Sequence, residues 1–146
     1  MNKILIAVDG SPASDAAVRS GLGFAASENA AVLFVHVAPE LDAVPGAMFG
    51  TTGAIRHELN ANDRVSLDAA LDAAEADGVA ANGRLLVGEP AEEIVAFADS
   101  AGVDLIVVGS RRLGAVGRVL LGSVSGGVLR ESRGPVLVVT THEVVT

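Results

Sequence analysis

The sequence has no cysteine, no tryptophan and no tyrosine. Without cysteine it forms no disulfide, holds no metal through thiolates and uses no thiol nucleophile. Its only benzenoid rings are Phe24, Phe34, Phe49 and Phe97. A core must therefore be built from Ala, Val, Leu and Ile, with those four rings among them. Such small and β-branched residues suit interior parallel strands and closely packed helices. Lysine is nearly absent as well, Lys3 standing against nine arginines. Positive charge is in the minority: the formal net charge is −8. That excludes a broad nucleic-acid or anionic-membrane surface, because both need a basic face. An anionic ligand at one local site stays compatible with it. No apolar run approaches the roughly 18 residues of a membrane span. The continuous apolar run before Asp9, residues 4–8, is five residues long, too short for the core of a secretory signal. The expectation is a soluble, cytoplasmic protein. The 146 residues fit one domain, 1–146, with room for a sizeable core.

What is present is a regular alternation of strand and helix signals. Residues 3–8 (KILIAV) read as a first strand, and Asp9-Gly10-Ser11-Pro12 turns out of it. Ser11 is a good N-cap and Pro12 suits a first helical position. A helix to about residue 27 follows, with Ala17, Val18, Gly21, Leu22, Phe24 and Ala25 on its apolar stripe. Residues 31–37 (AVLFVHV) form the second strand, ended by Pro39. Residues 38–53 show no period and read as a long loop of the kind that serves as a lid or binding loop. A second helix is predicted over 55–77, with Ile55, Leu59, Leu67, Ala70, Leu71 and Ala74 inward. Asn60 to Asp63 interrupts that stripe and predicts a kink or a later start. The third strand, 81–87, is the weakest. Gly88-Glu89-Pro90 leads into a third helix to about residue 101, with Ile94, Val95 and Ala98 on its face.

The stretch 103–139 reads strand, glycine loop, helix, strand. Asp104-Leu105-Ile106-Val107-Val108 closes on Gly109, and Gly114 and Gly117 follow. Ser123 or its neighbour caps a helix to about residue 131, Gly134-Pro135 stops it, and Val136-Leu137-Val138-Val139 is the last strand. A glycine loop entering a helix N-terminus can hold a phosphate, because close backbone approach, free N–H groups and the helix dipole all favour an anion there. The same glycines also serve a plain tight connection. Both readings stay open on the residues alone.

The element order βαβαβαβαβ, with right-handed crossovers, predicts an α/β fold: one doubly wound, five-stranded parallel sheet with helices on both faces. In such a sheet a ligand sits beyond the carboxyl ends of the strands, where strand order reverses. Asp9, His36, Val37, Gly88, Gly109 and Ser110 fall there. Asp9 can bind a ribose, a magnesium ion or a phosphoryl donor, or cap the turn that follows it. His36 reads as a core or crevice residue before a ligand. A Walker A loop is excluded, since no lysine follows the glycines. Gly21-Leu22-Gly23-Phe24-Ala25-Ala26 lies inside a helix and not after a strand. His57-Glu58 lacks the second histidine of a zincin, and no Gly-x-Ser-x-Gly elbow occurs. A phosphoacceptor receiver would carry an acidic pair and a late lysine, where this chain has Asp9 alone and Thr140.

Six stretches together resemble the universal stress protein family. They are Ile6-Ala7-Val8-Asp9-Gly10-Ser11, His36-Val37, Gly88-Glu89-Pro90-Ala91-Glu92-Glu93-Ile94, Asp104-Leu105-Ile106-Val107-Val108-Gly109-Ser110-Arg111, Leu120-Leu121-Gly122-Ser123-Val124-Ser125 and Pro135-Val136-Leu137-Val138-Val139. The resemblance spans the chain and is most specific in its C-terminal part. It implies a fold of the adenine nucleotide alpha-hydrolase-like type, strand order 3-2-1-4-5, and a homodimer joined at the last strand. In one branch it implies bound ATP, held by Gly-x2-Gly-x9-Gly-Ser/Thr. Gly109, Gly122 and Ser123 fall in register with that pattern, and Arg112 stands at the second glycine. Arginine there either obstructs the phosphates or binds them through its guanidinium. The favoured expectation is retained but altered nucleotide binding. By the family pattern Ala7, Val8, Asp9 and Val37 line the adenine and ribose side, with Val108 beside them. Gly109, Gly122, Ser123 and Val124 contact phosphates. Magnesium, if used, falls to Asp9.

The last strand supports a dimer on physical grounds too. Val136 to Val139 is an apolar edge in that strand order, with no lysine or internal proline to discourage pairing. The competing expectation is that 140–146 folds over it. The reading is thus an ATP-binding homodimeric regulatory or binding module in the stress response. A homodimer without nucleotide, acting through protein contacts, is the alternative that Arg112 sustains. A slow magnesium-dependent ATP hydrolase is a third, since no catalytic base is poised on a nucleophile.

Overall fold

A computed structural model describes residues 1–38, 52–111 and 122–141, with the backbone alone over 52–62 and at 111. In chain order the elements are β1 (Lys3–Ala7), α1 (Pro12–Glu28), β2 (Ala31–Ala38), α2 (Thr52–Ala76), β3 (Ala81–Val87), α3 (Pro90–Ala101), β4 (Leu105–Arg111), α4 (Ser123–Glu131) and β5 (Val136–Thr141). The five strands are parallel and ordered β3-β2-β1-β4-β5. That is the expected doubly wound sheet.

Local chemistry sets the helix ends. Ser11 caps α1, its hydroxyl accepting the Ser14 N–H at 3.1 Å, and Pro12 stands at the first helical position. The helix closes at Asn29, which takes a left-handed conformation (φ 53°). Glu89 caps α3, its carboxylate accepting the N–H groups of Ala91 and Glu92 at 3.4 and 2.7 Å. Helix α2 begins three residues earlier than the sequence pattern suggested and runs unbroken through 60–63. The predicted loop falls largely on 39–51, outside the described residues.

Side chains alternate along each inner strand, so the sheet has two cores. Ile4 and Ile6 of β1, Val32 and Phe34 of β2, and Leu105 and Val107 of β4 face α1 and α2, where Ala17, Leu22, Leu67 and Ala70 meet them. Leu5, Val35, Ile106 and Val108 face α3 and α4 through Ile94, Val95 and Val128. Each fully buried aliphatic side chain contributes roughly 1.5–3 kcal/mol. Strand β3 is a half-exposed edge, in keeping with its weak pattern.

The expectation that the phenylalanines sit in the core needs correction. Phe34 is fully buried, but Phe24 is 37% exposed. It lies at the margin of the α1 stripe, whose centre runs through Ser14, Ala17, Gly21 and Ala25. Phe97 is partly buried with the Arg84 guanidinium 5.6 Å above its ring. Phe49, Ile55 and Leu59 lie outside the described side chains.

The start of the chain is pinned from below. The N–H groups of Asn2 and Lys3 donate to Asp104 Oδ2 at 2.8 and 3.0 Å, which holds that carboxyl below the usual carboxylate range. Lys3 Nζ donates to the Ala101 carbonyl at 2.9 Å. These bonds tie the start of β1 to the segment between α3 and β4.

Candidate functional site

At the carboxyl ends of β1, β2 and β4 lies a cleft of about 260 Å³. Its position is where a doubly wound sheet reverses strand order, between β1 and β4. Val8, Val35, Val37, Ile94 and Val108 make apolar walls, and Asp9, Ser11, Ser14 and His36 add polar groups.

Of the residues singled out in the sequence, Ala7, Val8, Asp9, Val37, Val108, Gly109 and Val124 line this cleft. Gly122 and Ser123 sit beside Val124 at the exposed start of α4, outside the lining itself. Arg112, together with Gly114 and Gly117, lies outside the described residues. Ser14, Val35, Pro90 and Ile94 complete the wall and were not singled out as ligand contacts. Ile94 and Pro90 arrive because α3 starts at the same end of the sheet.

Asp9 is committed locally. Its Oδ1 accepts the Ser11 N–H at 2.8 Å, and its own N–H donates to Ser14 Oγ at 3.0 Å. Of the roles open to it in the sequence, capping the turn is the one visible in the geometry. Among the described residues no group of three or more His, Cys, Asp or Glu could hold a metal ion.

His36 is buried, and both ring nitrogens are engaged. Nδ1 lies 2.7 Å from the Val8 carbonyl oxygen and Nε2 2.7 Å from Asp63 Oδ1. Asp63 was not foreseen as its partner. The signal was present as the polar interruption of the α2 stripe at 60–63, read as a kink or a later start. Physically it is the place where the helix turns a carboxylate toward the strand end.

The two motif glycines do different things. A Cβ on Gly109 would overlap the Ala13 carbonyl in the first turn of α1. That glycine lets α1 lie directly on β4. Among the described residues a Cβ on Gly122 would meet only Ser125 Oγ, at 3.7 Å, an ordinary contact. Gly122 is the N-cap of α4 with extended backbone and makes no side-chain cap. Its N–H is 3.4 Å from Ser110 Oγ, which ties the start of α4 to β4.

The Universal stress protein family model matches residues 1–140. The chain belongs to the universal stress protein family. It is 35% identical over 145 residues to Universal stress protein YxiE of Bacillus subtilis, covering 94% of this chain and 98% of the relative. Its fold is similar to that of protein MJ0577 of Methanocaldococcus jannaschii, with a TM-score of 0.80, 27% identity and 97% of each chain covered. A universal stress protein solved in complex with cAMP is 29% identical with a TM-score of 0.66, over 97% of this chain and 98% of that one. Among the described residues, no helix of this universal stress protein is long and apolar enough to cross a membrane.

Proposed function

We propose that this universal stress protein is a regulatory or binding module of the stress response. In this reading it binds an adenine nucleotide, ATP in the first instance, in the cleft between β1 and β4. The observation that carries the reading is the start of α4. Helices α1 and α3 have their N-termini capped by Ser11 and Glu89, whereas α4 begins at Gly122 without a side-chain cap. Among the described residues no side chain caps its first N–H groups, which can meet an anion next to Gly109 and Val124 at the cleft mouth. The apolar walls at Val8, Val35, Val37 and Val108 suit a flat base. The volume lies near the small end of ligand pockets, roughly 300 Å³. The relative solved with cAMP shows that a protein of this fold accepts an adenine nucleotide.

Thermal unfolding of metal-stripped protein tests this, with Mg-ATP, ADP and AMP compared. A ligand at about 100 times its Kd adds roughly 2.7 kcal/mol, or several degrees in Tm for a domain of this size. The expected order is ATP above AMP, because only the longer phosphate chain reaches α4. No shift at millimolar ATP would overturn the reading and turn attention to protein partners.

The same reading includes a homodimer through β5. In the described sheet β5 pairs with β4 on one side only. The Ile106 N–H donates to the Pro135 carbonyl at 3.1 Å, so by the alternation of a parallel ladder Val136 and Val138 turn their N–H and C=O groups outward. Thr140 and Thr141 continue the strand in register with Ser110 and Arg111. Val138→Pro removes one outward donor and is expected to convert dimer to monomer in sedimentation velocity. A wild-type chain that sediments as a monomer at micromolar concentration would remove the dimer from the reading.

A further inference from the structure

We propose that His36 and Asp63 form a proton-dependent latch that holds α2 against the wall of the cleft. The inference rests on hydrogen-bond chemistry. Nδ1 of His36 faces the Val8 carbonyl oxygen at 2.7 Å, and a carbonyl oxygen only accepts, so Nδ1 carries a hydrogen. Nε2 faces Asp63 Oδ1 at 2.7 Å, and a hydrogen must lie between those atoms too. If the ring holds it, the pair is imidazolium and carboxylate. If the carboxyl holds it, both groups are neutral. Either way the closed pair contains one proton more than a neutral imidazole beside an ionised carboxylate. Remove that proton and a nitrogen lone pair confronts an oxygen at the same short distance. The contact then repels and opens.

Among the described residues the surroundings offer no substitute. From β1, Asp9 is next to Val8, but its Oδ1 is turned to the Ser11 N–H. From β3, Leu85 stands in register with His36 and brings no charge. Among the described side chains of α2 the nearest charges, Arg64 and Asp68, are exposed. The side chains of the pair are only 11% and 13% accessible. Asp63 Oδ2 is buried and has no partner among the described residues. An opened Asp63 regains water on both oxygens, which is why two arrangements are available and not one.

Opening would act on the cleft because both anchor points belong to it. Val8 and His36 line it, and Val8 is also held through its N–H to the Val35 carbonyl at 2.8 Å. Opening at Nε2 releases α2 at Asp63 and leaves the ring, with the Val8 carbonyl it still holds through Nδ1–H, anchored on one side only. The sign follows from linkage. The closed pair holds one proton more than the opened pair, so rising pH favours opening.

Denaturant unfolding of the ligand-free full chain from about pH 6 to about pH 9, across the range where histidine changes charge, tests this. Asp63→Asn is the partner variant, because a carboxamide can meet a neutral ring without the extra proton. The wild-type folding constant is expected to fall with pH more steeply than that of the variant. The difference has a ceiling of about tenfold per pH unit for one proton. Parallel curves would overturn the latch. Ring-nitrogen NMR of the wild type is independent of how well the variant folds. Loss of a proton from the pair should move the backbone amides of β1 and α2 in the same transition. A ring that titrates while those amides stay still would equally overturn it.

Discussion

Gly109→Val is expected to destabilise the fold by about 3 kcal/mol, or roughly 6–12 °C in Tm for a domain of this size. The reason is a backbone collision and not a conformational preference. Any Cβ at this position would overlap the Ala13 carbonyl in the first turn of α1. Neither partner can yield cheaply. Gly109 lies in β4, in register with Val139 of β5, and Ala13 is held in a helix capped by Ser11. Moving α1 away would also disturb the contacts of Ala17, Val18 and Leu22 with the sheet. Against a typical total stability of about 5–15 kcal/mol, this single change takes a large share. Equilibrium unfolding in urea measures it. A variant within about 1 kcal/mol of wild type would mean that α1 does not lie on β4 as described.

Gly122→Val is expected to do the opposite: to leave the fold nearly intact and to weaken nucleotide binding by about 100-fold or more. The backbone at Gly122 is extended (φ −65°, ψ 169°), a conformation open to any residue. Among the described residues a Cβ there meets only Ser125 Oγ at 3.7 Å. The loss of a glycine N-cap costs about 1 kcal/mol at most. The added bulk instead stands at the mouth of α4, where phosphates would approach its first N–H groups. Losing several N–H contacts to an anion, at roughly 1.5–3 kcal/mol each, accounts for the magnitude. Calorimetric titration with ATP reads the binding, and urea unfolding of the same sample reads the fold. Unchanged affinity would remove Gly122 from the site while leaving the family assignment untouched. The two glycines are thus separable, although the motif presents them together.

Much of the architecture was legible in the residue pattern for identifiable reasons. Ser11-Pro12 and Glu89-Pro90 announce helix starts because a capping side chain and a fixed φ act within one turn. The inner strands are legible because both faces of the sheet are covered, so runs such as Leu5-Ile6 and Ile106-Val107 are apolar throughout. Strand order followed from the resemblance and not from the pattern, since pairing is a long-range matter.

The site was legible only in part. Ala7, Val8, Asp9, Val37, Val108, Gly109 and Val124 gather at one end of the sheet because each stands at a strand end or helix start, and topology brings those ends together. Ile94 and Pro90 join them from α3, whose apolar stripe serves core and cleft alike, so nothing in the stripe marks the difference. Phe24 went the other way: its chemistry is that of a core residue, but its angle on α1 places it at the edge of the stripe.

By itself, then, the sequence determined the element order, the two-faced apolar sheet, the helix caps and the exclusion of thiol, P-loop and zincin chemistry. These depend on residue type and on spacing within a turn or a strand. Only the tertiary structure decided that Gly109 is a packing contact with Ala13, that a Cβ on Gly122 makes an ordinary contact with Ser125, and that His36 finds Asp63 across 27 residues of chain. Each of those is a distance between distant segments. Local propensity carries no information about such distances until the sheet has set the segments side by side.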